Sequence, residues 1–211
     1  MKKKYCLILL ISLFSGHLLS QTTVKVDLMK NSWLSINGTT NVLSFKLVQN
    51  GDKLLNKPIT ITATQNQNKV FLSQNQLNIN TKNFSSDNPM ALRDFLKLIK
   101  SDAFPSIKVQ LNHIETPQEN DKEIYSKVNA SVNITITGIT HQYNIPVSSA
   151  KKGDFISLKG IKKISIRDFG LEPPVEMMGL IKVSEWISID FQMTCKIELN
   201  KEATLALSST N

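Results

Sequence analysis

Past position 20, the side chains best suited to bind a metal or act as a nucleophile are His113, His141 and Cys195. Zinc sites draw their ligands from short, recurring spacings. Neither histidine has a second histidine or cysteine at such a spacing, so each reads as an isolated side chain. Cys195 stands within a run of alternating apolar residues, which favours a buried, inert thiol over a reactive one. Asp168-Phe169-Gly170 spells a kinase tripeptide, but no glycine-rich loop or catalytic-loop aspartate accompanies it and the match is chance. There is no G-x-S-x-G elbow and no G-x-x-x-x-G-K-[ST] loop, which removes common hydrolase and nucleotide-binding chemistry. Acid–base work by paired carboxylates needs them on an inner face, and Asp190 and Glu198 fall on the polar register of their strand. No catalytic residue, metal ligand or cofactor is assigned.

Charge offers one further chemistry. Lys151, Lys152, Lys159, Lys162, Lys163 and Arg167 are opposed within their span only by Asp154, a bias that would attract phosphate groups or an anionic surface. Nucleic acid is not expected as a partner, and the simpler reading is a solvated exterior whose lysines discourage edge pairing. N-x-[ST] sequences at Asn37, Asn83, Asn129 and Asn133 would matter only in a eukaryotic secretory pathway.

What remains is the burial of apolar groups, and here the pattern is explicit. From Ile187 to Leu199 every odd-numbered residue is apolar and every even-numbered one between them is polar. That is a strand with one dry face, about 40 Å long at the usual rise. Val128 to Ile136 repeats the alternation, and shorter copies lie at Leu43 to Leu47, Ile59 to Ala63, Ile107 to Leu111 and Tyr143 to Val147. Trp33 to Ile36, Leu77 to Ile79 and Phe155 to Ile166 are further strand candidates. Asn37-Gly38, Asn50-Gly51-Asp52, Thr137-Gly138 and Lys152-Gly153-Asp154 read as turns or bulges between neighbours.

One segment departs from this period. Asn88 as N-cap and Pro89 at the first helical position open a helix with Leu92, Phe95, Leu96 and Ile99 on one side, ending before Phe104-Pro105. A second irregular stretch, Asp168 to Gly179, holds Pro173-Pro174 and Met177-Met178, either a flexible lip over an apolar opening or core filling under a long loop. The fold class is therefore all-β, mainly antiparallel, and an elongated barrel of about eight strands with one amphipathic helix fits best, because closure removes exposed edges.

The first twenty residues stand apart. Lys2, Lys3 and Lys4 precede an apolar run from Cys6 to Phe14, then Ser15, Gly16 and Ser20. This is the order of a secretory signal, with cleavage expected after Ser20. A retained membrane anchor is the alternative, because Leu18 stands where a small residue is usual. Cleavage would take three of the 25 basic residues, leaving 22 against 17 acidic ones and a charge of +5 rather than +8. It would leave Cys195 as the one cysteine, without an internal disulfide. The expected organisation is a signal peptide over 1–20, one domain over 21–199 and a C-terminal tail over 200–211.

Taken in order, several segments resemble the YceI-like family. They are Ser32-Trp33-Leu34-Ser35-Ile36-Asn37-Gly38-Thr39-Thr40-Asn41-Val42, Asn88-Pro89-Met90 through the helix to Phe104-Pro105-Ser106-Ile107, Gly138-Ile139-Thr140-His141, and Phe169-Gly170-Leu171 through Met178-Gly179-Leu180-Ile181-Lys182-Val183. The resemblance implies a lipocalin-like barrel in the periplasm whose interior holds a long isoprenoid or comparable amphiphile, and it transfers no catalytic residue. The chain departs from the family pattern in a longer, polar stretch between Lys46 and Leu77 and in its tail.

The expected function is non-enzymatic binding, sequestration or transport of a long apolar amphiphile, a polyisoprenoid, quinone or fatty-acid derivative, by an exported protein that is periplasmic or secreted. Tunnel candidates are Phe45, Leu47, Ile134, Ile136, Ile189, Phe191 and Met193 on strands, with Phe95, Phe104, Phe169, Met177 and Met178 at the helix and loop. His141 and Lys152 are candidates for a head group at the rim. A barrel filled by its own side chains, serving as an envelope-stress or interaction module, is the alternative, and interior volume discriminates the two. Peripheral membrane contact and a homodimer are left open.

Overall fold

Apolar residues at every second position give each strand a dry face, and in the computed structural model of the chain these faces turn inward around one axis. The structure describes residues 21–54, 58–116 and 126–199; the leader expected over 1–20 and the tail over 200–211 lie outside the described residues. The strands are β1 (Gln21–Leu28), β2 (Trp33–Thr39), β3 (Ser44–Asn50), β4 (Ile59–Asn66), β5 (Lys69–Ser73), β6 (Leu77–Asn80), β7 (Ser106–Glu115), β8 (Ser126–Ile136), β9 (Ile139–Lys152), β10 (Phe155–Ser165), the short pair β11 (Val175–Glu176) and β12 (Ile181–Lys182), and β13 (Trp186–Leu199). A single-turn helix α1 (Gly51–Leu54) and the helix α2 (Pro89–Leu98) complete the set.

The ladder runs β1-β4-β5-β7-β8-β9-β10-β13 and returns from β13 to β1, a closed antiparallel ring of eight. The register carries the alternation seen in the sequence: Ile189 on β13 opposes Ile36 on β2, and Val132 on β8 opposes Leu111 on β7. Paired residues share a face, so apolar meets apolar at many positions, such as Val26 opposite Ile59 and Leu158 opposite Met193, although Leu34 opposes Gln49 and Ile189 opposes Lys162.

Three staves of the ring are broken, and each break is sutured by a buried polar side chain. β13 pairs with β1 over its C-terminal half and with β2 over its N-terminal half, so β1 and β2 form one interrupted stave. At that break the Ser32 hydroxyl donates to Thr194 O at 3.2 Å and accepts from Thr194 N at 3.0 Å. β3 and β4 lie on β2 and β1 with α1 between them, and Gln49 Nε2 donates to Lys53 O at 3.0 Å. β5 and β6 both pair with β7, and Asn75 spans their gap onto Leu111. Ser32, Gln49 and Asn75 are all buried. A backbone group orphaned in a sheet costs about 1–3 kcal/mol, so a break inside the wall requires such substitutes.

Toward the end that carries α2, here the mouth end, β9 and β10 part company. Their register stops at Gly160–Val147, and Phe169 fills the wedge beyond it, 1% exposed. Its ring lies 5.5 Å from His141 and 6.4 Å from Tyr143. The Tyr143 hydroxyl donates to Asp168 Oδ2 at 2.8 Å, and burial, then that bond, holds the phenol well above its ordinary range.

The helix follows its sequence signals at its start, but its cavity side is not the expected one: Asp94, expected opposite the apolar face, lines the cavity wall with Phe95 and Ile99, and Leu92 and Leu96 do not. Asn88 Oδ1 accepts from Ala91 N at 3.1 Å with Pro89 at the first position. Two expected turns are different objects. Asn37-Gly38 lies inside β2, where glycine is needed because the Phe45 ring on β3 occupies the place of a Cβ. Gly51 opens α1 rather than a hairpin. Thr137-Gly138 and Gly153 do turn hairpins with positive φ. β1 and β5 are strands beyond those expected; Val24, Val26 and Leu28, and Val70 and Leu72, carried their alternation.

Candidate functional site

The inward side chains do not fill the ring. A cavity of about 380 Å³ runs inside it, walled by apolar residues from nearly every stave. Along β13 the wall is Ile187, Ile189, Phe191, Met193 and Cys195, about 27 Å of strand at the usual rise. Facing it stand Ala130, Val132, Ile134 and Ile136 of β8, with Ile145 and Val147 of β9. The volume spread over that length makes a narrow channel, and the barrel is hollow.

Two glycines open space for the aromatic residues on this wall. Gly160 on β10 pairs with Phe191, and a Cβ there would lie 2.9 Å from the ring. Gly38 gives Phe45 the same freedom. Without these gaps both rings would be driven into the channel.

The mouth is built from α2 and two loops. Ala91, Asp94, Phe95 and Leu98, at i, i+3, i+4 and i+7, turn one helix face to the cavity. Phe95 is fixed edge-on against Phe84 at 5.3 Å. Across the opening, Thr40 and Leu43 of one loop meet Pro174, Ile181 and Val183 of the other. Asp94 is the charged side chain on the wall among the described residues, and it pairs with Arg93 at 3.2 Å. Asn75, Asn88, Thr40 and Ser184 add neutral polar groups. At depth, burial, and then the charge of Asp27, pushes the Cys195 thiol up to about 11, so it stays protonated and unreactive near neutrality.

The structure places Phe45, Leu47, Phe95, Ile134, Ile136, Ile189, Phe191 and Met193 on this wall. It places others elsewhere. Phe104 stands outside, on the surface beside Gly138. Phe169 is the wedge between β9 and β10, and the Met177 side chain lies outside the described ones. Met178 is fully exposed at φ 56°. His141 packs on Phe169 away from the wall, and Lys152 sits in the β9–β10 turn at the end opposite the mouth. The lysine run is not one patch, because an extended β9–β10 hairpin distributes it along the barrel. Val26 and Leu28 of β1, Leu72 of β5, and Ile181, Val183 and Ser184 are wall residues that sequence reasoning missed, while Pro174 lies in the stretch it read as a lip or as core filling.

Among the described residues no group of His, Cys, Asp and Glu is arranged to hold a metal ion, and no helix is long and apolar enough to cross a membrane. The apolar wall offers dispersion and desolvation to an apolar guest.

Comparison with known proteins agrees with this architecture. The structure of BcnA from Burkholderia cenocepacia superposes with a TM-score of 0.58 at 16% identity, covering 80% of this chain and 99% of that one. A polyisoprenoid binding domain from Saccharophagus degradans, implicated in plant cell wall breakdown, superposes at 0.57 and 10% identity over 84% of this chain and 99% of that one. At these identities the likeness is one of fold. No curated protein matches the sequence significantly. The model of the YceI-like domain matches residues 23–195, from β1 to the deep end of the cavity wall, and the chain belongs to the YceI-like family.

Proposed function

We propose that this protein is exported and binds a long, apolar amphiphile inside the barrel, sequestering or carrying it without covalent chemistry. The observation that carries the reading is the continuous apolar channel of about 380 Å³. Without a guest, this apolar wall is left without packing partners or in contact with water that it cannot hydrogen-bond, and either state is unfavourable. Each buried methylene of a guest contributes about 0.8 kcal/mol, so a long chain is held without a precise polar contact. The Saccharophagus domain, named for polyisoprenoid binding, supports a polyisoprenoid, quinone or fatty-acid derivative as the class. The leader-like order of residues 1–20 supports export to the periplasm or beyond.

Solvent extraction of protein purified from its native envelope, followed by mass spectrometry, tests this. One lipid per chain is expected. Protein that yields no lipid, and takes up none from detergent solution, overturns the reading and favours an interaction module.

A further inference from the structure

We infer that the mouth end docks on an anionic lipid bilayer through the paired loops 39–43 and 180–184 and the groove beside them. Apolar residues at loop tips ordinarily fold back or are scattered singly. Here they are held outward. Asn41 Nδ2 donates to Leu180 O at 2.9 Å, Asn41 Oδ1 accepts from Lys182 N at 3.0 Å, and Ser184 N donates to Thr39 O at 2.8 Å. This stitching leaves Val42 64% and Leu180 71% exposed at the rim of the opening. Met90, at the start of α2, is exposed on the facing side and lines the cavity. The lip is thus pinned by these bonds, apolar at its tips and continuous with the channel.

Charge beside the lip selects the partner. A groove of about 760 Å³ on the outer face shares Phe45, Asn88, Ser184 and Ile187 with the cavity and holds Lys46, Lys163 and the half-exposed Trp186. Lys163 Nζ lies 5.2 Å over the Trp186 ring. Among the described residues neither lysine of the groove forms an ion pair; Asp87 is the acid that lines it with them. Aliphatic tips backed by tryptophan and lysine are the composition of a surface that sits at the headgroup level of a negatively charged membrane. A bilayer so placed faces the mouth, and a chain can pass between membrane and channel without crossing water. The inference goes beyond the cavity reading, since a channel can hold a lipid whether or not its mouth docks.

Flotation of the full chain with vesicles of phosphatidylcholine, alone or mixed with phosphatidylglycerol, tests it. Binding is expected to the mixed vesicles and to weaken with salt. Replacing Val42 and Leu180 by aspartate should lower it by at least about tenfold. Replacing Lys46 and Lys163 by glutamine should lower it about 25-fold, each lysine near such a surface being worth about fivefold. Phe71→Asp, at an apolar side chain that is also exposed but lies on β5 away from the mouth, should change nothing; all variants are compared in the same N-terminal form. A blue shift of tryptophan fluorescence on mixed vesicles, lost in Trp186→Phe, reports contact at the lip without depending on the stability of the charge variants. Wild-type protein that ignores both vesicles, lip variants that bind like wild type, or a lip-dependent dimer in place of vesicle binding overturns the inference. Lipid extracted from each variant is measured in parallel: vesicle binding without stoichiometric lipid would sink the cavity reading alone, and retained lipid with lip-independent binding would sink the docking alone.

Discussion

The Asn75 amide bonds both backbone groups of one residue, Leu111: its Oδ1 accepts from the N–H at 2.8 Å and its Nδ2 donates to the carbonyl at 2.9 Å. A neighbouring strand would make the same pair of bonds. β6 reaches only Val109 of β7 and β5 begins only at His113, so a side chain takes the place of a missing backbone. Asn75→Ala is expected to destabilise the fold by about 2–4 kcal/mol, because two backbone groups lose their partners at once. Asn75→Asp keeps the acceptor, loses the donor and puts a charge on the cavity wall, and should cost at least as much. Equilibrium unfolding of the lipid-free protein measures both; a loss below half a kilocalorie per mole for the alanine variant would refute the suture.

Gly160 matters through what it leaves vacant. Its backbone is ordinary, without the positive φ that demands glycine, but a Cβ would meet the Phe191 ring at 2.9 Å, Pro146 O at 3.1 Å and Val147 Cγ1 at 3.1 Å. Gly160→Leu must therefore drive the Phe191 ring into the channel. The expected result is a loss of about 1–3 kcal/mol from overpacking, together with a severalfold drop in extractable lipid. Phe191→Ala in the same background restores room and should recover most of the lipid, which separates occlusion from general misfolding.

Phe169 takes a structural rather than a ligand-facing part. It fills the wedge where the β9–β10 ladder ends and touches neither the channel nor its mouth. Phe169→Ala should cost about 3–5 kcal/mol of stability while the lipid bound per folded chain stays unchanged. A selective loss of lipid at unchanged stability would return Phe169 to the wall.

How far the sequence disclosed this arrangement depended on how local the cause was. The facing of β8 and β13 follows from a period of two, a property of neighbouring residues, and it put Ile134, Ile136, Ile189, Phe191 and Met193 on one dry surface. The cap of α2 was equally local, in Asn88 and Pro89. Phe104 and Phe169 were misplaced because large aromatic rings outside the strands have no period to orient them, and each went to a position set by tertiary packing. Lys152 was placed at the rim although the strand order, once closed, puts its hairpin at the other end. The broken staves were hidden for a further reason: Ser32, Gln49 and Asn75 look like loop residues, and their bonds to Thr194, Lys53 and Leu111 span up to 162 positions. Hollowness was the least legible property, since it depends on the sum of all inward volumes and on two glycines, Gly38, which read as a turn, and Gly160, which read as one more strand residue.

Cys195 provides a reporter deep in the channel. Burial, aided by the charge of Asp27, lifts its thiol from 9.0 to about 11. Between those values the unfolded chain releases a proton that the folded chain retains, so the unfolded state binds fewer protons and stability falls as pH rises. The contribution is fully present below about pH 9 and is lost progressively up to about pH 11, amounting to no more than about 2–3 kcal/mol. Unfolding curves of the wild type should show that alkaline slope and those of Cys195→Ala should lack it; equal slopes would mean the thiol is not desolvated in the fold. Because Cys195 also lines the channel, its alkylation by a small maleimide should be slow near neutral pH in the delipidated protein and slower still once a lipid occupies the site. Protection by the extracted lipid, absent with a short-chain analogue that ends before the depth of Met193, would locate the far end of the guest beside this sulfur.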